Sequence, residues 1–152
     1  VSCGGVVTAW AYGHSEPVQE YFPALSQVDE AIPDKPREFL RQAKESMHAP
    51  AGAIMLAASA VDAMLKLKRY VDGSLYTRIE KAAADHLITQ AMAKWAHQVR
   101  IDANDQRHAD EASELPNEDD AKRVIAFTTA LAEFLFVLPA LVSRGLEETK
   151  KA

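Results

Sequence analysis

The sequence predicts an all-α bundle of four to five helices preceded by a short N-terminal β element. The 152 residues suit one domain, and an apolar fraction of 48% is sufficient for a buried core. Its small residues are mostly alanine rather than glycine, and apolar residues recur at helical spacing in several segments. We therefore expect residues 1–32 to form a strand and an extended connector, and residues 33–148 to form the bundle.

The N-terminal region carries strand and connector signals but no helical period. Residues 1–13 begin with a glycine turn and continue with alternating β-forming side chains, which predicts a short strand. Residues 14–35 contain Pro17, Pro23 and Pro33, and they are expected to be extended.

Five helices are expected from apolar spacing and from end signals. The first covers about 34–48, and the second runs from Pro50 to about residue 71, where Asp72-Gly73 should stop it. The third covers 74–84, and the fourth runs from about 89 to 104 or 108. Asn117 should cap the last helix, which extends to about 148 with a bend expected at Pro139.

The charge distribution bounds the possible partners. The net charge of −5 argues against a general nucleic-acid coat protein. Residues 35–108, however, carry twelve Lys and Arg against eight acids, so a local basic face is compatible with the sequence. A single cysteine cannot form an intramolecular disulfide, which together with the lack of a signal-peptide pattern favours a cytoplasmic setting. Acidic residues and a proline interrupt the longest apolar tracts, so buried helices are expected rather than membrane spans.

One stripe of the fourth helix carries the residues best suited to chemistry. With Arg100 at 0° on the helical wheel, Asn104 lies at about 40°, His97 at about 60° and His108 at about 80°. Arg100 could bind a phosphate bidentately and stabilise a pentacoordinate transition state, and Asn104 could orient the phosphate or an imidazole. His108 could act as a general base or acid, so these three are the candidate catalytic residues. The candidate ligand-binding residues are His97, Lys94 and Arg107.

A structural interpretation of the same stripe is also open. Arg100 would then pair with an acid such as Asp105 or Glu118, while His97 would be a satisfied interface histidine. The acidic loop that follows, residues 110–120, would repel RNA or mask the site until a partner binds. No convincing metal-ligand pattern occurs, and His97 and His108 would stand about 16 Å apart on one helix, so neither a metal nor another cofactor is expected.

Several segments together resemble a bacterial family of unknown function, of the DUF4145 type, that is grouped with the HEPN superfamily of helical bundles. The residues that carry the resemblance, over about 33–142, are Leu75-Tyr-Thr-Arg-Ile79, Ile88, Trp95-Ala-His-Gln-Val-Arg100, Ala103-Asn104, His108, Glu118-Asp-Asp-Ala121, Phe127, Leu131, Glu133-Phe-Leu135 and Pro139. The resemblance implies an HEPN-like bundle of four to five helices that often dimerises. In active superfamily members an Arg and a His on one helix meet their counterparts across the dimer and cleave RNA without a metal; Arg100 and His108 match these positions.

The chain also departs from that pattern. Seven residues separate Arg100 from His108, where active members keep four to six. Ala103 stands where the family commonly has Gly, and Ser59 and Asp62 stand where relatives tend to have Arg and Glu. Relatives often carry a zinc ribbon before the bundle, of which Cys3 would be a remnant, although one cysteine cannot hold zinc.

Three functional hypotheses follow. The first is an RNA- or nucleotide-engaging module, whose catalytic form would be a metal-independent ribonuclease of a defence or toxin-like system. The alternative is a non-catalytic dimerisation or scaffolding domain in which the Arg-Asn-His stripe is structural. The third is a small-molecule-binding bundle, which requires a pocket that no sequence feature reveals. In all three the chain is expected to be a homodimer.

Overall fold

The computed structural model describes residues 28–108 and 115–150, together with the backbone of two short N-terminal strands, and the described body is helical. Strands β1 (Thr8–Trp10) and β2 (Glu20–Phe22) pair antiparallel. Strand β2 lies inside the segment that is predicted to be an extended connector, and no second strand is predicted there. The predicted zinc-ribbon remnant at Cys3 lies outside the described residues.

The helical body follows the predicted order of helices. Its elements are α1 (Asp34–Glu45), α2 (Pro50–Leu67), α3 (Leu75–Ala84), α4 (Gln90–His108), α5 (Glu118–Ala132), a π-helical segment (Glu133–Val137) and α6 (Leu138–Thr149). Helix α5, the π-helical segment and α6 form one continuous helical stretch. The sequence predicted a single last helix for this region. Proline at N1 begins α2 as the sequence indicated. The third helix begins one residue after the predicted start, because Ser74 is its N-cap and its side chain accepts a hydrogen bond from the Thr77 N–H.

The second helix ends at Leu67, four residues before the predicted stop, so that expectation was wrong. Arg69 adopts a left-handed backbone with φ of 77°. The Tyr70 N–H donates to the Leu65 carbonyl at 3.0 Å, and the Arg69 N–H donates to the Lys66 carbonyl at 3.0 Å. These two bonds form a Schellman motif, which usually ends a helix at a glycine. Here the left-handed residue is an arginine, so the sequence does not indicate that the helix stops at this point.

The last helical stretch has the predicted start and an interruption near the predicted place. The Asn117 side chain accepts from the N–H groups of Asp119 and Asp120, and the Asp120 carboxylate accepts from the Asn117 N–H, which is a complete capping box. The π-helical turn, with a bond from the Leu138 N–H to the Glu133 carbonyl, directly precedes Pro139. Proline has no N–H for the normal α-helical bond, so a change of hydrogen-bond register is expected here.

The core is centred on α2, which packs against α1, α4 and α5. Large side chains from all four helices are fully buried there, including Leu40, Ile54, Met64, Val99, Phe127 and Leu131. The α2 face is rich in alanine, which lets neighbouring helices approach closely and fixes where their outer side chains lie.

Two helical stretches, Pro50–Leu67 and Glu118–Thr149, are long and apolar enough to cross a membrane by length and composition alone. Half of the apolar window in α2 is buried inside the fold, and 39% of the window in the last stretch is buried. A helix buried in the core of a soluble protein meets the same criterion, so length and composition fit both a protein core and a membrane span.

Candidate functional site

Helix α4 presents the predicted stripe beside its buried face. Thr89 caps the helix by accepting the Met92 N–H at 3.1 Å. A run of small apolar residues, Ala93, Ala96, Val99 and Ala103, is buried against the bundle. Arg100 and His97 lie at the edge of this face and are half-buried, which places their polar groups where the protein partly excludes water.

The Arg100 guanidinium is packed against an aromatic ring of α3. Its Cζ lies 5.5 Å from the centroid of the Tyr76 ring, which is a cation–π distance. The Nε of Arg100 is buried and has no hydrogen-bond partner among the described residues. No described carboxylate forms an ion pair with this guanidinium. A half-buried cation that forms no ion pair with a described carboxylate is electrostatically suited to an external anion.

His97 joins Arg100 to a second contact on α3. The imidazole ring is 17% exposed, and its Nε2 lies 2.7 Å from Oε1 of Glu80. Its ring centroid is 4.7 Å from that of Tyr76, so the Tyr76 side chain contacts both His97 and Arg100. We call Tyr76, Glu80, His97 and Arg100 the α3–α4 cluster. It holds one fixed cation, one titratable imidazole and one carboxylate around an aromatic ring that is 51% exposed.

The structure does not bring every predicted site residue into this cluster. Asn104 and Lys94 are exposed on α4, and neither makes a described hydrogen bond or ion pair. Arg107 and His108 belong to α4 by their backbone, but their side chains lie outside what the structure describes. The catalytic role of His108 therefore stays a prediction, as do the roles of Asn104, Lys94 and Arg107.

The structural interpretation of the stripe predicted an acidic partner for Arg100 on α4 or α5. It paired Arg100 with Asp105 or Glu118, and neither pair occurs among the described residues. Glu118 instead binds Lys122 on its own helix at 3.0 Å. His97 has an internal partner at Nε2, but its buried Nδ1 has no hydrogen-bond partner among the described residues, so the expectation of a satisfied histidine is met at one ring nitrogen and not at the other.

Two members of the cluster, Tyr76 and Glu80, were missed by the sequence reasoning. Tyr76 lies in the segment Leu75-Tyr-Thr-Arg-Ile79, which carries part of the family resemblance, so a signal was present without an assigned role. Glu80 gave no signal, because its pairing with His97 joins residues 17 positions apart on different helices.

A second concave region lies between α1, α2, α3 and α4. It is a cavity of about 490 Å³, and three of its lining residues, Ser59, Asp62 and Ala103, are the positions that depart from the family pattern. Asp62 lies 2.6 Å from the Arg78 guanidinium and 2.5 Å from Lys66 Nζ. The small-molecule hypothesis requires a pocket that no sequence feature reveals, and this cavity is such a pocket.

Metal binding finds no support in the described ranges, 28–108 and 115–150: no group of three or more His, Cys, Asp or Glu side chains there could hold an ion.

Comparison with known proteins identifies the family. The sequence profile of the family described as Domain of unknown function (DUF4145) matches residues 27–149, which is most of the chain. The protein therefore belongs to this family. No curated protein and no solved structure matches the chain.

Proposed function

We propose that this domain is an HEPN-like bundle that binds RNA through a phosphate contact at Arg100. The observation that carries the proposal is the half-buried Arg100 guanidinium, which lies at a cation–π distance from Tyr76 and has no described carboxylate partner. Arginine in such a setting offers fixed N–H donors to a phosphate, and partial burial strengthens the attraction.

The neighbouring groups add features that suit RNA. Tyr76 exposes half of its side chain beside the guanidinium, and an exposed ring next to a cation can stack on an unpaired base. Asn104 and Lys94 are exposed on the same helix and could contact further phosphates or sugars. Glu80 opposes this attraction, so we expect moderate affinity that depends strongly on salt.

The HEPN-like assignment extends the proposal to cleavage. If the resemblance holds for the mechanism, Arg100 and His108 of two copies would meet in a cytoplasmic homodimer and cleave RNA without a metal. His108 would then exchange a proton with the ribose 2′-OH or the leaving oxygen, and Arg100 would stabilise the negative charge of the transition state.

Binding is tested by fluorescence anisotropy with a fluorescein-labelled single-stranded RNA in EDTA. We expect Arg100→Ala to weaken binding about tenfold, because it removes a charge-assisted bidentate contact. Arg100→Lys should recover only part of the affinity, since lysine keeps the charge and loses the fork geometry. The matched control is Arg144→Ala, which removes an exposed arginine from α6 and should change affinity little.

Three results would overturn binding through Arg100: wild type that fails to bind RNA, equal effects of Arg100→Ala and Arg144→Ala, or full recovery by lysine. Thermal unfolding of each variant establishes that it is folded. Cleavage is scored separately in the same EDTA buffer, where loss in both Arg100→Ala and His108→Ala would support the ribonuclease mechanism. Cleavage that survives either substitution would contradict it.

A second candidate function, self-association, is favoured by a separate observation on the last helix. No residue of α6 is buried. Five apolar side chains on one face of this helix and the preceding π-helical segment are 39–59% exposed: Phe134, Leu138, Leu141, Val142 and Leu146. We call them the α6 stripe. Half-exposed side chains of this size present on the order of 450 Å² of apolar surface, which is large for a monomer.

A second copy of the chain is the occupant that suits the α6 stripe. An antiparallel pair of α6 helices that crosses at Val142 would place Leu138 of each copy opposite Leu146 of the other, so the stripe is self-complementary. Light scattering after gel filtration should show a dimer for wild type and a monomer for Leu141→Asp. Ser143→Asp, which adds the same charge on the opposite side of α6, should remain dimeric. A monomeric wild type, or equal effects of the two substitutions, would exclude this dimer.

A further inference from the structure

The cavity between α1, α2, α3 and α4 has the size of a small-molecule site. Its volume of about 490 Å³ falls within the usual range for ligand pockets, which is roughly 300–1,000 Å³. None of its lining residues belongs to the α3–α4 cluster or to the α6 stripe. A ligand here would therefore be distinct from RNA at Arg100 and from a second copy at α6.

The cavity walls are mostly apolar, and some of their side chains are open to solvent. Met55 and Leu67 are large apolar residues that are 38% and 48% exposed, and both line the cavity. The remaining apolar lining consists of Phe39, Ala58, Ala63, Leu75 and Ala103. Exposed apolar surface in a concave site is stabilised when the apolar part of a ligand replaces water.

The lining of the cavity carries more positive than negative charges. Lys35, Lys66 and Arg78 contribute three positive charges, and Asp62 is the one carboxylate among the lining residues. Asp62 bridges Lys66 and Arg78, which leaves Lys35 without a described partner. The lining thus carries a net charge of +2 beside apolar walls.

Arg78 is rigidly held and so fixes the polar side of the cavity. Its guanidinium is 12% exposed and donates to the Asp62 carboxylate at 2.6 Å and to the Gly73 carbonyl at 2.6 Å. It also donates to the Val71 carbonyl at 3.1 Å. Because these bonds hold the Arg78 guanidinium in place, little reorganisation of this side chain is needed to bind a ligand.

From this arrangement we infer that the cavity binds a small amphiphilic anion, with its apolar body between Met55 and Leu67 and its anionic head near Lys35 and Lys66. Charge complementarity selects the anionic head, and the apolar walls select the body. A neutral molecule would leave the net charge of +2 uncompensated, and a cation would be repelled.

The test uses amide chemical shifts of the ¹⁵N-labelled protein, titrated with ten-carbon probes below their micelle concentrations. Decanoate, decyl phosphate, decanol and decyltrimethylammonium share one apolar body and differ in the head group. We expect the two anions to shift amides around Ser59, Leu67 and Leu75. Decanol should bind about tenfold more weakly than the better anion, and the cation should not bind at this cavity. The tighter of the two anions identifies the head group.

Two substitutions and one control localise the effect. Lys35→Glu should weaken anion binding about tenfold. It should not impair folding, since an acid in the first turn of α1 suits the helix dipole. Ser59→Trp should abolish binding by filling the cavity. Lys81→Glu, which makes the same change at an exposed lysine of α3 outside the lining, should leave the affinity unchanged.

Several outcomes would overturn the inference. These are anion-induced shifts confined to α6, equal affinity for decanol and decanoate, or equal effects of Lys35→Glu and Lys81→Glu. None of these outcomes depends on RNA, so the cavity and the Arg100 proposal can fail independently.

Discussion

The Nε2 of His97 lies 2.7 Å from Oε1 of Glu80, which joins the middle of α4 to α3. The Glu80 side chain is 55% exposed, while the His97 side chain is 17% exposed and its ring contacts the Tyr76 ring at a tilt of 34°. Glu80 thus positions a ring that contacts Tyr76, the same residue that the Arg100 guanidinium contacts, and it also adds the one negative charge of the α3–α4 cluster. These two effects act in opposite directions on an anionic ligand.

Removing the charge of Glu80 should therefore strengthen RNA binding. Glu80→Gln keeps an oxygen that can accept from His97 and removes the repulsion, so we expect affinity to rise about two- to threefold at low salt. Anisotropy measurements at two salt concentrations check this, and the gain should shrink at the higher one. An unchanged or weaker affinity would mean that phosphate does not approach the α3–α4 cluster.

The Asp62–Arg78 pair should stabilise the bundle by fixing the loop between α2 and α3. Arg78→Ala removes bonds to one carboxylate and two carbonyls, so we expect a loss of about 2–3 kcal/mol in the free energy of unfolding. Urea unfolding of Arg78→Ala, Asp62→Ala and the double variant measures the coupling, expected at about 1–2 kcal/mol. Additive single effects would contradict a direct interaction.

Glycine should stabilise the two helix ends at which other residues adopt left-handed backbone. Arg69 and His86 have φ of 77° and 59°, and both close Schellman motifs. Arg69→Gly and His86→Gly should each raise the free energy of unfolding by about 0.5–1 kcal/mol, because glycine adopts this backbone without steric cost.

Gly73→Ala provides the opposite control for these two variants. Gly73 has φ of 74°, and an added Cβ would lie 3.1 Å from the Thr77 Cβ. The Gly73→Ala variant should therefore lower the free energy of unfolding by about 1 kcal/mol or more. Thermal unfolding compares the stabilities of the three variants. Loss of stability in both Arg69→Gly and His86→Gly would contradict the argument that glycine adopts the left-handed backbone more easily.

Low pH should weaken the capping interactions at the start of α5. The Asn117 N–H and then Arg123 lower the pKa of Asp120 below its ordinary value of 3.8. A carboxyl with a depressed pKa contributes stability above its unfolded-state pKa, and this contribution is lost as pH falls through the folded-state value. Wild type should therefore exceed Asp120→Asn in stability at neutral pH, and the difference should narrow below about pH 4.

Unfolding midpoints from pH 7 to 2 measure that difference between wild type and Asp120→Asn. Glu147→Gln, at an exposed acid of α6, should follow the wild-type curve throughout. A gap between wild type and Asp120→Asn that stays constant with pH would show that the charge of Asp120 does not contribute.

Local features of the fold could be predicted because they depend on neighbours in sequence. The Asn117 cap and the change of helix geometry before Pro139 involve residues within a few positions of each other. The end of α2 could not be predicted, because the left-handed residue there is Arg69, whose side chain does not signal a helix stop.

The sequence by itself determined the order of the helices and the helix that carries Arg100 and His97. Helical periodicity places these two residues on one side of α4 wherever that helix packs. Only the tertiary structure decided that Glu80 binds His97 and that Lys35, Ser59, Arg78 and Ala103 line one cavity. Such contacts depend on how the side chains of α2 interlock with its neighbours, and periodicity within one helix does not fix the position or rotation of the next.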